Sequence, residues 1–308
     1  MKGNFWQKLR KPFFVLAPMS DVTDTVFRQI ILKCGRPDVF YTEFVSCDGL
    51  CSEGREELLK SLKFNKKEKP IVVQFFGSKP ENFYKCAKLA QKLGFDGIDI
   101  NMGCPDKKVE KQNAGAKLIL NPKLAKRIIE ETKRGAGKLP ISVKTRIGYN
   151  EIITEKWISE IIKVKPDVII IHGRTKKEMS KAPAHWDEIG KAAKLIKKAG
   201  IIAIGNGDVK NLKDGEQKAK KYGLDGIMVG RGIFENPWFF NTKIDIKDKN
   251  PPDRIKLLLN HVTLFNKTYK GTKNFNMLKK FFKIYIFGWK EAKNLRNQLM
   301  AAKNIMLG

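Results

Sequence analysis

One cysteine stands out in the sequence because of its neighbours. Cys104 lies in the segment Asn101-Met102-Gly103-Cys104-Pro105, directly after an apolar run that ends at Ile100. A thiol with a reference pKa of about 8.5 is mostly protonated at neutral pH, so it can donate a proton to a reacting group. Cys104 is therefore the candidate general acid. We predict that the other four cysteines are small buried apolar residues, namely Cys34, Cys47, Cys51 and Cys86.

Two glycine-rich segments together predict a phosphate site. They are Gly205-Asn206-Gly207-Asp208 and Gly230-Arg231-Gly232, and each follows an apolar run. Glycine lets backbone N–H groups approach an anion closely, and a guanidinium such as that of Arg231 binds phosphate oxygens in a fork. No Walker A motif or dinucleotide GxGxxG follows the first apolar run, which disfavours P-loop and Rossmann sites. A mononucleotide cofactor is the remaining prediction.

Polar residues also end or follow the other apolar runs, which predicts a site that surrounds a large ligand. An ammonium such as that of Lys144 is costly among apolar strand residues unless an anion partners it. We expect His172 to donate a hydrogen bond to a ligand, and we expect His185 and His261 to lie on the surface. The polar positions are Pro18-Met19, Glu43, Gln74, Asn101 with Cys104, Lys144 with Arg146, His172 with Arg174, Asn206 with Asp208, and Arg231.

Eight short apolar runs, separated by stretches with helical periodicity, must position these residues. Runs rich in Val and Ile without strict alternation are typical of parallel strands that are buried on both faces. Eight such units in about 240 residues predict an α/β fold of the (β/α)8 TIM-barrel type, with a doubly wound sheet as the alternative. In a TIM barrel the carboxyl ends of the strands form the active face. The predicted strands are 14–17, 39–42, 71–74, 97–100, 141–144, 168–171, 201–204 and 226–229.

The last quarter of the chain differs from the rest in composition. We predict a barrel over residues 1–240, a polar linker over 241–253 that contains Pro251-Pro252, and a small C-terminal helical domain over 254–308. From Pro251 to Gly308 there are 12 Lys and Arg against 2 Asp and Glu. The apolar residues of this segment recur at helical spacing, which predicts helices with a basic outer face.

The charge of the whole chain favours a polyanionic partner. The sequence has 61 Lys and Arg against 32 Asp and Glu, a formal net charge of +29. Codon bias is an alternative explanation because most of the cations are Lys, but such bias should raise Glu as well. The shortage of acids therefore indicates nucleic acid as the partner.

Several other classes of protein are disfavoured. No apolar run approaches the roughly 18 residues that span a bilayer, and the stretch Phe13 to Ala17 is too short for a signal-peptide core. Five cysteines, an odd number, suit reduced thiols, and Cys47 with Cys51 lacks a second Cys/His pair at zinc spacing. We expect a cytoplasmic protein with no membrane contact, no metal and no obligate protein partner.

These residues closely resemble the tRNA-dihydrouridine synthase family. One segment departs from the family pattern: between Thr175 and Trp186, where the family has a Tyr, a Gly and an Asp, this chain has Ser180, Ala182 and His185. The RNA contacts of that loop are therefore left open. The matching segments follow in order over residues 14–240 and include Leu16-Ala17-Pro18-Met19, Thr42-Glu43, Gln74 with Gly77, Asn101 to Pro105, Val143-Lys144 with Arg146, His172 to Thr175, Gly205 to Asp208, and Gly230 to Gly232.

The resemblance implies an FMN-binding enzyme that reduces the C5=C6 bond of specific uridines in tRNA, with NADPH as reductant. Cys104 aligns with the family's proton donor, and Asn101 and Arg146 align with positions near the target uracil. The flavin ring would lie among Pro18, Met19, Gln74, Lys144 and His172, and the ribityl phosphate among Asn206, Gly207, Asp208, Gly230 and Arg231.

Two other functions remain open at this point. A flavin barrel that reduces a small molecule, such as a dihydroorotate dehydrogenase or an enoate reductase, would explain the phosphate loops and Lys144 but not the excess of positive charge. A non-catalytic tRNA-binding protein on a retained barrel would bind no flavin.

Overall fold

Eight parallel β-strands form the centre of the computed structural model, which describes residues 4–302. They are β1 (Phe13–Leu16), β2 (Phe40–Ser46), β3 (Ile71–Phe76), β4 (Gly97–Met102), β5 (Ile141–Arg146), β6 (Val168–His172), β7 (Ile202–Asn206) and β8 (Gly226–Val229). The order is β1-β8-β7-β6-β5-β4-β3-β2, and a parallel bridge between Val15 and Val39 joins the two ends of the sheet. The predicted barrel is confirmed, and the doubly wound alternative is wrong.

Helices follow the strands around the outside of this barrel. Helix α4 begins with Pro80 in its first turn and is capped at its carboxyl end by Gly94, whose φ of 79° is easily reached by glycine. The α-helices are α1 (Thr25–Cys34), α2 (Cys47–Leu50), α3 (Arg55–Leu59), α4 (Pro80–Leu93), α5 (Lys107–Glu110), α6 (Pro122–Ala136), α7 (Thr154–Ile162), α8 (Trp186–Lys198), α9 (Leu212–Tyr222), α10 (Gly232–Glu235), α11 (Pro251–Tyr269), α12 (Asn276–Lys279), α13 (Phe282–Tyr285) and α14 (Ala292–Ala301). Within residues 4–302 there are also five 3-10 turns: Phe5–Lys8, Lys60–Leu62, Lys66–Glu68, Gly115–Leu120 and Ile246–Asp248.

Six strands, β2 to β7, continue past their predicted carboxyl ends, and β2 and β5 show how this bears on function. Strand β2 continues to Ser46 instead of stopping at Thr42, and its register with β3 shifts between Tyr41 and Phe44. Such an irregularity re-aims side chains next to a site. Strand β5 continues to Arg146, so this residue lies within its strand rather than after it.

The apolar core has two layers, and together they determine where a cavity can form. The outer layer packs the strands against the surrounding helices, and the inner layer fills the barrel with residues such as Val15, Val72 and Ile170. Trp6, on the first 3-10 turn, belongs to the inner layer and is 1% exposed. Because Trp6 closes the amino end of the barrel, the inner space opens toward the carboxyl ends of the strands.

The C-terminal helices begin earlier than predicted and pack on the barrel. Pro251, Pro252 and Asp253 form the first turn of α11, where proline is well tolerated, so these last three residues of the predicted linker are helical. Phe281 stacks on Phe27 of α1 with 5.0 Å between ring centroids. Residues 1–3 and 303–308 of the two predicted domains lie outside the described residues.

Side chains of the C-terminal segment also bind the barrel through polar contacts. The Asp24 carboxylate, which caps α1, accepts hydrogen bonds from the Tyr269 hydroxyl at 2.9 Å and from Lys273 Nζ at 2.8 Å. His261, predicted to lie on the surface, is buried, and its Nδ1 lies 2.8 Å from the Tyr285 hydroxyl. That prediction is wrong because the apolar side of α11 carries this histidine into the core.

None of the helices within residues 4–302 is long and apolar enough to cross a membrane.

Candidate functional site

A cavity of about 820 Å³ opens at the carboxyl ends of the strands. Its volume is typical of pockets for cofactors and small molecules. Every residue predicted to act in catalysis, to bind the cofactor or to bind the substrate lines this cavity: Pro18, Met19, Gln74, Asn101, Cys104, Lys144, Arg146, His172, Asn206, Gly207, Asp208, Gly230 and Arg231. Arg174, one of the predicted polar strand ends, lines it too, whereas Glu43, another of them, lies outside it in a separate small pocket. Phe44, Met179, Ser180, Lys210 and Glu235 line the cavity and were not predicted as site residues. The individual roles of these residues stay predictions.

The Cys104 loop is held in place by backbone contacts. Asn101 Oδ1 accepts hydrogen bonds from the backbone N–H of Gly103 at 3.1 Å and of Cys104 at 2.9 Å. Gly115 has a φ of 62°, and a Cβ there would lie 2.7 Å from the Cys104 carbonyl oxygen, so only glycine allows this packing. Burial raises the pKa of the Cys104 thiol above its ordinary value. The thiol is therefore protonated at neutral pH, as a proton donor requires.

Basic side chains give the cavity a positive potential. Burial, followed by the nearby Arg146, lowers the pKa of Lys144 to about 8. Burial and the surrounding cations, Lys144 first among them, hold the pKa of His172 well below 6.5, so its imidazole is neutral. Arg174 Nη1 lies 3.2 Å from His172 Nε2. Because a guanidinium only donates, Nε2 is the acceptor, and the proton of His172 lies on Nδ1 and can be donated.

The glycine-rich segments occupy one end of the cavity. Gly207 has a φ of 132°, which glycine adopts without strain. A Cβ on Gly230 would meet only the Ala17 Cβ, at 3.8 Å, so the backbone at Gly230 is open to the cavity. The helix that follows Gly230 and Arg231, α10, has four residues, so its dipole adds little to anion binding.

The Asp208 side chain is committed to other protein groups. Its carboxylate accepts hydrogen bonds from Arg174 Nη2 at 2.5 Å, from Arg231 Nη2 at 3.3 Å and from the backbone N–H of Ala184 at 2.8 Å. Partial burial raises the pKa of Asp208, but the hydrogen bonds from Arg174 and Ala184 and the charges of Arg174 and Arg231 together outweigh it, so the net pKa is lowered. A contribution of Asp208 to phosphate binding would therefore come from its backbone N–H.

Arg146 joins two loops of the active face. Its Nε donates to the Gly103 carbonyl at 2.6 Å, and its Nη1 donates to the carbonyls of Thr175 and Met179 at 2.9 and 3.0 Å. The side chain thus connects the Cys104 loop to the loop that follows β6. Its predicted contact with a uracil would have to be made by the remaining nitrogen, Nη2.

The loop after β6, which departs from the family pattern, is stabilised by its own residues. Glu178 accepts a hydrogen bond from the Thr175 N–H at 2.7 Å, and His185 Nε2 lies 2.7 Å from the other Glu178 oxygen. Met179 and Ser180 line the cavity. His185, predicted to lie on the surface, is half-buried and belongs to this internal contact.

Among residues 4–302, no group of three or more His, Cys, Asp and Glu side chains could hold a metal ion. Cys34, Cys47 and Cys86 are buried, whereas Cys51 is exposed, contrary to the prediction for that residue.

Comparison with known proteins decides the family. A family model described as dihydrouridine synthase (Dus) matches residues 15–305. The chain belongs to the dihydrouridine synthase family. This dihydrouridine synthase is 44% identical over 311 residues to a probable tRNA-dihydrouridine synthase of Staphylococcus aureus (strain COL), a match that covers 99% of this chain and 93% of that protein. It is 42% identical over 310 residues to the probable tRNA-dihydrouridine synthase 2 of Bacillus subtilis (strain 168), covering 99% and 94%.

Solved structures similar to this dihydrouridine synthase share its fold. A complex of 2-naphthoyl-CoA reductase with 2-naphthoyl-CoA matches with a TM-score of 0.57 and 12% identity, over 77% of this chain and 52% of that chain. Histamine dehydrogenase from Rhizobium sp. 4-9 matches with a TM-score of 0.57 and 13% identity, over 82% and 48%. The dihydrouridine synthase therefore spans about half the length of these two proteins.

Proposed function

We propose that this chain is a flavin-dependent tRNA-dihydrouridine synthase, which reduces the C5=C6 bond of uridines in tRNA. The observation that carries the proposal is a protonated thiol, Cys104, in a cavity that also holds Lys144 and the neutral His172, in a member of the dihydrouridine synthase family. Neither alternative explains the whole set. A small-molecule reductase needs no excess of positive charge, and a binding protein needs no protonated thiol in the lining of a cavity.

The cavity suits FMN as the cofactor. Its open backbone at Gly230, together with Gly207 and Arg231, would hold the phosphate. At the other end, Lys144 and the Nδ1–H of His172 would face the flavin ring, along with Pro18, Met19 and Gln74, which line the same cavity. The positive potential of this end favours an electron-rich ring.

The reaction adds one hydride and one proton across the uracil double bond. FMN held by these residues would supply the hydride chemistry at C6, with NADPH as the reductant. The Cys104 thiol supplies the proton to C5, and the thiolate that remains is stabilised by the nearby charges of Arg146 and Lys144. Asn101 fixes the Cys104 loop through two backbone N–H groups, so that the thiol stays directed into the cavity.

A uracil within folded tRNA cannot reach the cavity while it is stacked, so the nucleotide must be flipped out of its loop. We propose that the basic C-terminal segment 254–308 holds the tRNA during this step, and that the reaction takes place in the cytoplasm.

The direct test is the formation of dihydrouridine in tRNA that lacks it. Purified protein, NADPH and tRNA from a strain without the gene should give dihydrouridine, measured by mass spectrometry of digested tRNA, and omission of NADPH should abolish the product. Free uridine should be a poor substrate, because the basic surface contributes to recognition. Equal turnover of free uridine would favour the small-molecule reductase, and a protein that takes up no flavin would favour the binding protein.

We expect Arg231→Glu to weaken FMN binding roughly tenfold or more, because a charged hydrogen bond is lost and a like charge faces the phosphate. FMN released on denaturation, measured by absorbance per mole of protein at limiting FMN, reports the occupancy. Lys213→Glu, at an exposed position of α9 outside the cavity, makes the same charge change and should keep normal occupancy. Equal occupancy in the two variants would remove Arg231 from the phosphate site.

A further inference from the structure

A buried carboxylate lies inside the barrel beneath the cavity, at a position to which the sequence assigned no function. Asp99 of β4 is 0% exposed, and it is not one of the residues that line the cavity. Its Oδ2 accepts a hydrogen bond from Gln74 Nε2 at 2.6 Å, and its Oδ1 accepts one from Ser142 Oγ at 2.5 Å. The three residues are register neighbours on β3, β4 and β5. Burial of a carboxylate costs free energy of folding unless hydrogen bonds offset it, so a fully buried carboxylate on a strand is unusual and indicates a specific role.

The hydrogen bonds continue from Asp99 to the Cys104 loop in a single direction. Gln74 Oε1 accepts a hydrogen bond from Asn101 Nδ2 at 3.0 Å, and Asn101 Oδ1 accepts the N–H groups of Gly103 and Cys104. A carboxylate accepts at one end of this chain, and two backbone N–H groups donate at the other. Interchanging the oxygen and nitrogen of either amide would place donor against donor, so the two ends agree on one orientation of both amides.

We propose that Asp99 is a positioning residue for Cys104: its Oδ2, as a hydrogen-bond acceptor, orients the Gln74 and Asn101 amides and thereby holds the thiol loop. The inference rests on the proposed function for the role of Cys104. Asp99 does not touch the reacting groups and acts through two other side chains.

The role of Asp99 as a hydrogen-bond acceptor can be tested separately from its negative charge. Burial raises the pKa of Asp99 to about 7, against the opposing effect of the hydrogen bonds from Ser142 and Gln74 and of the charge of Lys144. If the carboxyl binds a proton on Oδ1, Oδ2 can still accept from Gln74. An asparagine at this position can do the same, with its oxygen toward Gln74 and its amide nitrogen toward Ser142. The substitution Asp99→Asn therefore keeps the acceptor, whereas Asp99→Leu removes it with a side chain of the same branching and the same number of heavy atoms.

The test measures how firmly the Cys104 loop is held, in flavin-free protein. The readout is the rate of alkylation of Cys104 by iodoacetamide relative to that of Cys51, an exposed thiol of the same chain, by peptide mass spectrometry. We expect Asp99→Leu to raise this ratio about tenfold, because the freed amides no longer hold the loop and the thiol becomes more accessible. Asp99→Asn should stay within about twofold of wild type, since the acceptor is retained.

Two further variants keep the test decisive even if Asp99→Leu does not fold. Gln74→Met interrupts the same chain one residue closer to Cys104 and should raise the ratio as much as Asp99→Leu. Ser142→Ala removes the other partner of Asp99 and should leave the ratio unchanged. An unchanged ratio in Gln74→Met, or an equal rise in Asp99→Asn and Asp99→Leu, would overturn the proposal. Because no flavin, NADPH or tRNA takes part, this result is independent of whether the protein makes dihydrouridine.

Discussion

Replacement of Cys104 by alanine should lower dihydrouridine formation by about 10²- to 10⁴-fold while NADPH oxidation continues. The thiol delivers a proton to the uracil, whereas the recharging of the flavin by NADPH does not need it. The two activities are measured separately, as dihydrouridine in digested tRNA and as the loss of NADPH absorbance with an artificial electron acceptor. The loss in rate corresponds to the removal of one well-placed general acid.

The matched control for this experiment is Cys51→Ala. Cys51 is exposed and lies outside the cavity, so its removal should leave both activities at the wild-type level. Bound FMN should be equal in the two variants, because Cys104 is not predicted to bind the cofactor. If Cys104→Ala reduced tRNA at the wild-type rate, another group would have to supply the proton, and the role assigned to Cys104 would be wrong.

The sequence predicts the contents of the cavity well because of a general property of parallel barrels. The carboxyl ends of all eight strands meet at one face, so a polar residue at a strand end is brought to the site wherever it lies in the chain. Gln74 and His172 are about 100 residues apart in sequence, yet they line one cavity. The positions of the strand ends in the sequence are therefore sufficient to predict that such residues line one site.

The interior of the strands was harder to predict. Asp99 lies within an apolar run, and two of its partners, Gln74 and Ser142, are 25 and 43 residues away. Local pattern does not reveal that all three side chains face the inside of the barrel at one level. The register shift in β2 that precedes Phe44 is equally invisible in sequence, because a bulge depends on pairing with the neighbouring strand.

One error was avoidable. His261 lies four residues from both Leu257 and Phe265, and all three are buried on the same side of α11. Helical spacing would have placed the histidine among these apolar residues. The prediction of a surface position followed residue type instead of periodicity.

Six cations of the C-terminal segment, Lys279, Lys280, Lys283, Lys290, Lys293 and Arg296, fall into two groups by their contacts. Lys279, Lys280 and Arg296 donate hydrogen bonds to backbone carbonyls, those of Met300, Asp21 and Ile286 respectively. These three stabilise the segment and its contact with the barrel, so their reversal would disturb folding as well as binding. The other three are exposed and suit a test of binding alone: Lys283, Lys290 and Lys293.

Reversal of those three exposed lysines to glutamate should weaken tRNA binding by roughly a hundredfold, at roughly 1 kcal/mol for each lost contact. It should also flatten the plot of log affinity against log salt by about two to three units, because each phosphate contact releases about 0.7 to 0.9 counterion. Filter binding across a salt series gives both quantities. Flavin reduction by NADPH should be unchanged, because the reversed residues lie outside the cavity.

The control must separate a local contact from the total charge of the protein. Lys66, Lys67 and Lys138 are exposed and precede β3 and β5, so they lie at the amino end of the barrel, opposite the cavity. Their reversal changes the net charge by the same amount and weakens long-range attraction equally. If both triple variants bind tRNA alike, the C-terminal segment is a cap on the barrel, and the tRNA docks on the rim of the cavity. A larger loss of tRNA affinity together with a flatter salt plot in the variant of Lys283, Lys290 and Lys293 would place bound phosphates against this segment. Only the loss of a direct phosphate contact changes the slope of log affinity against log salt.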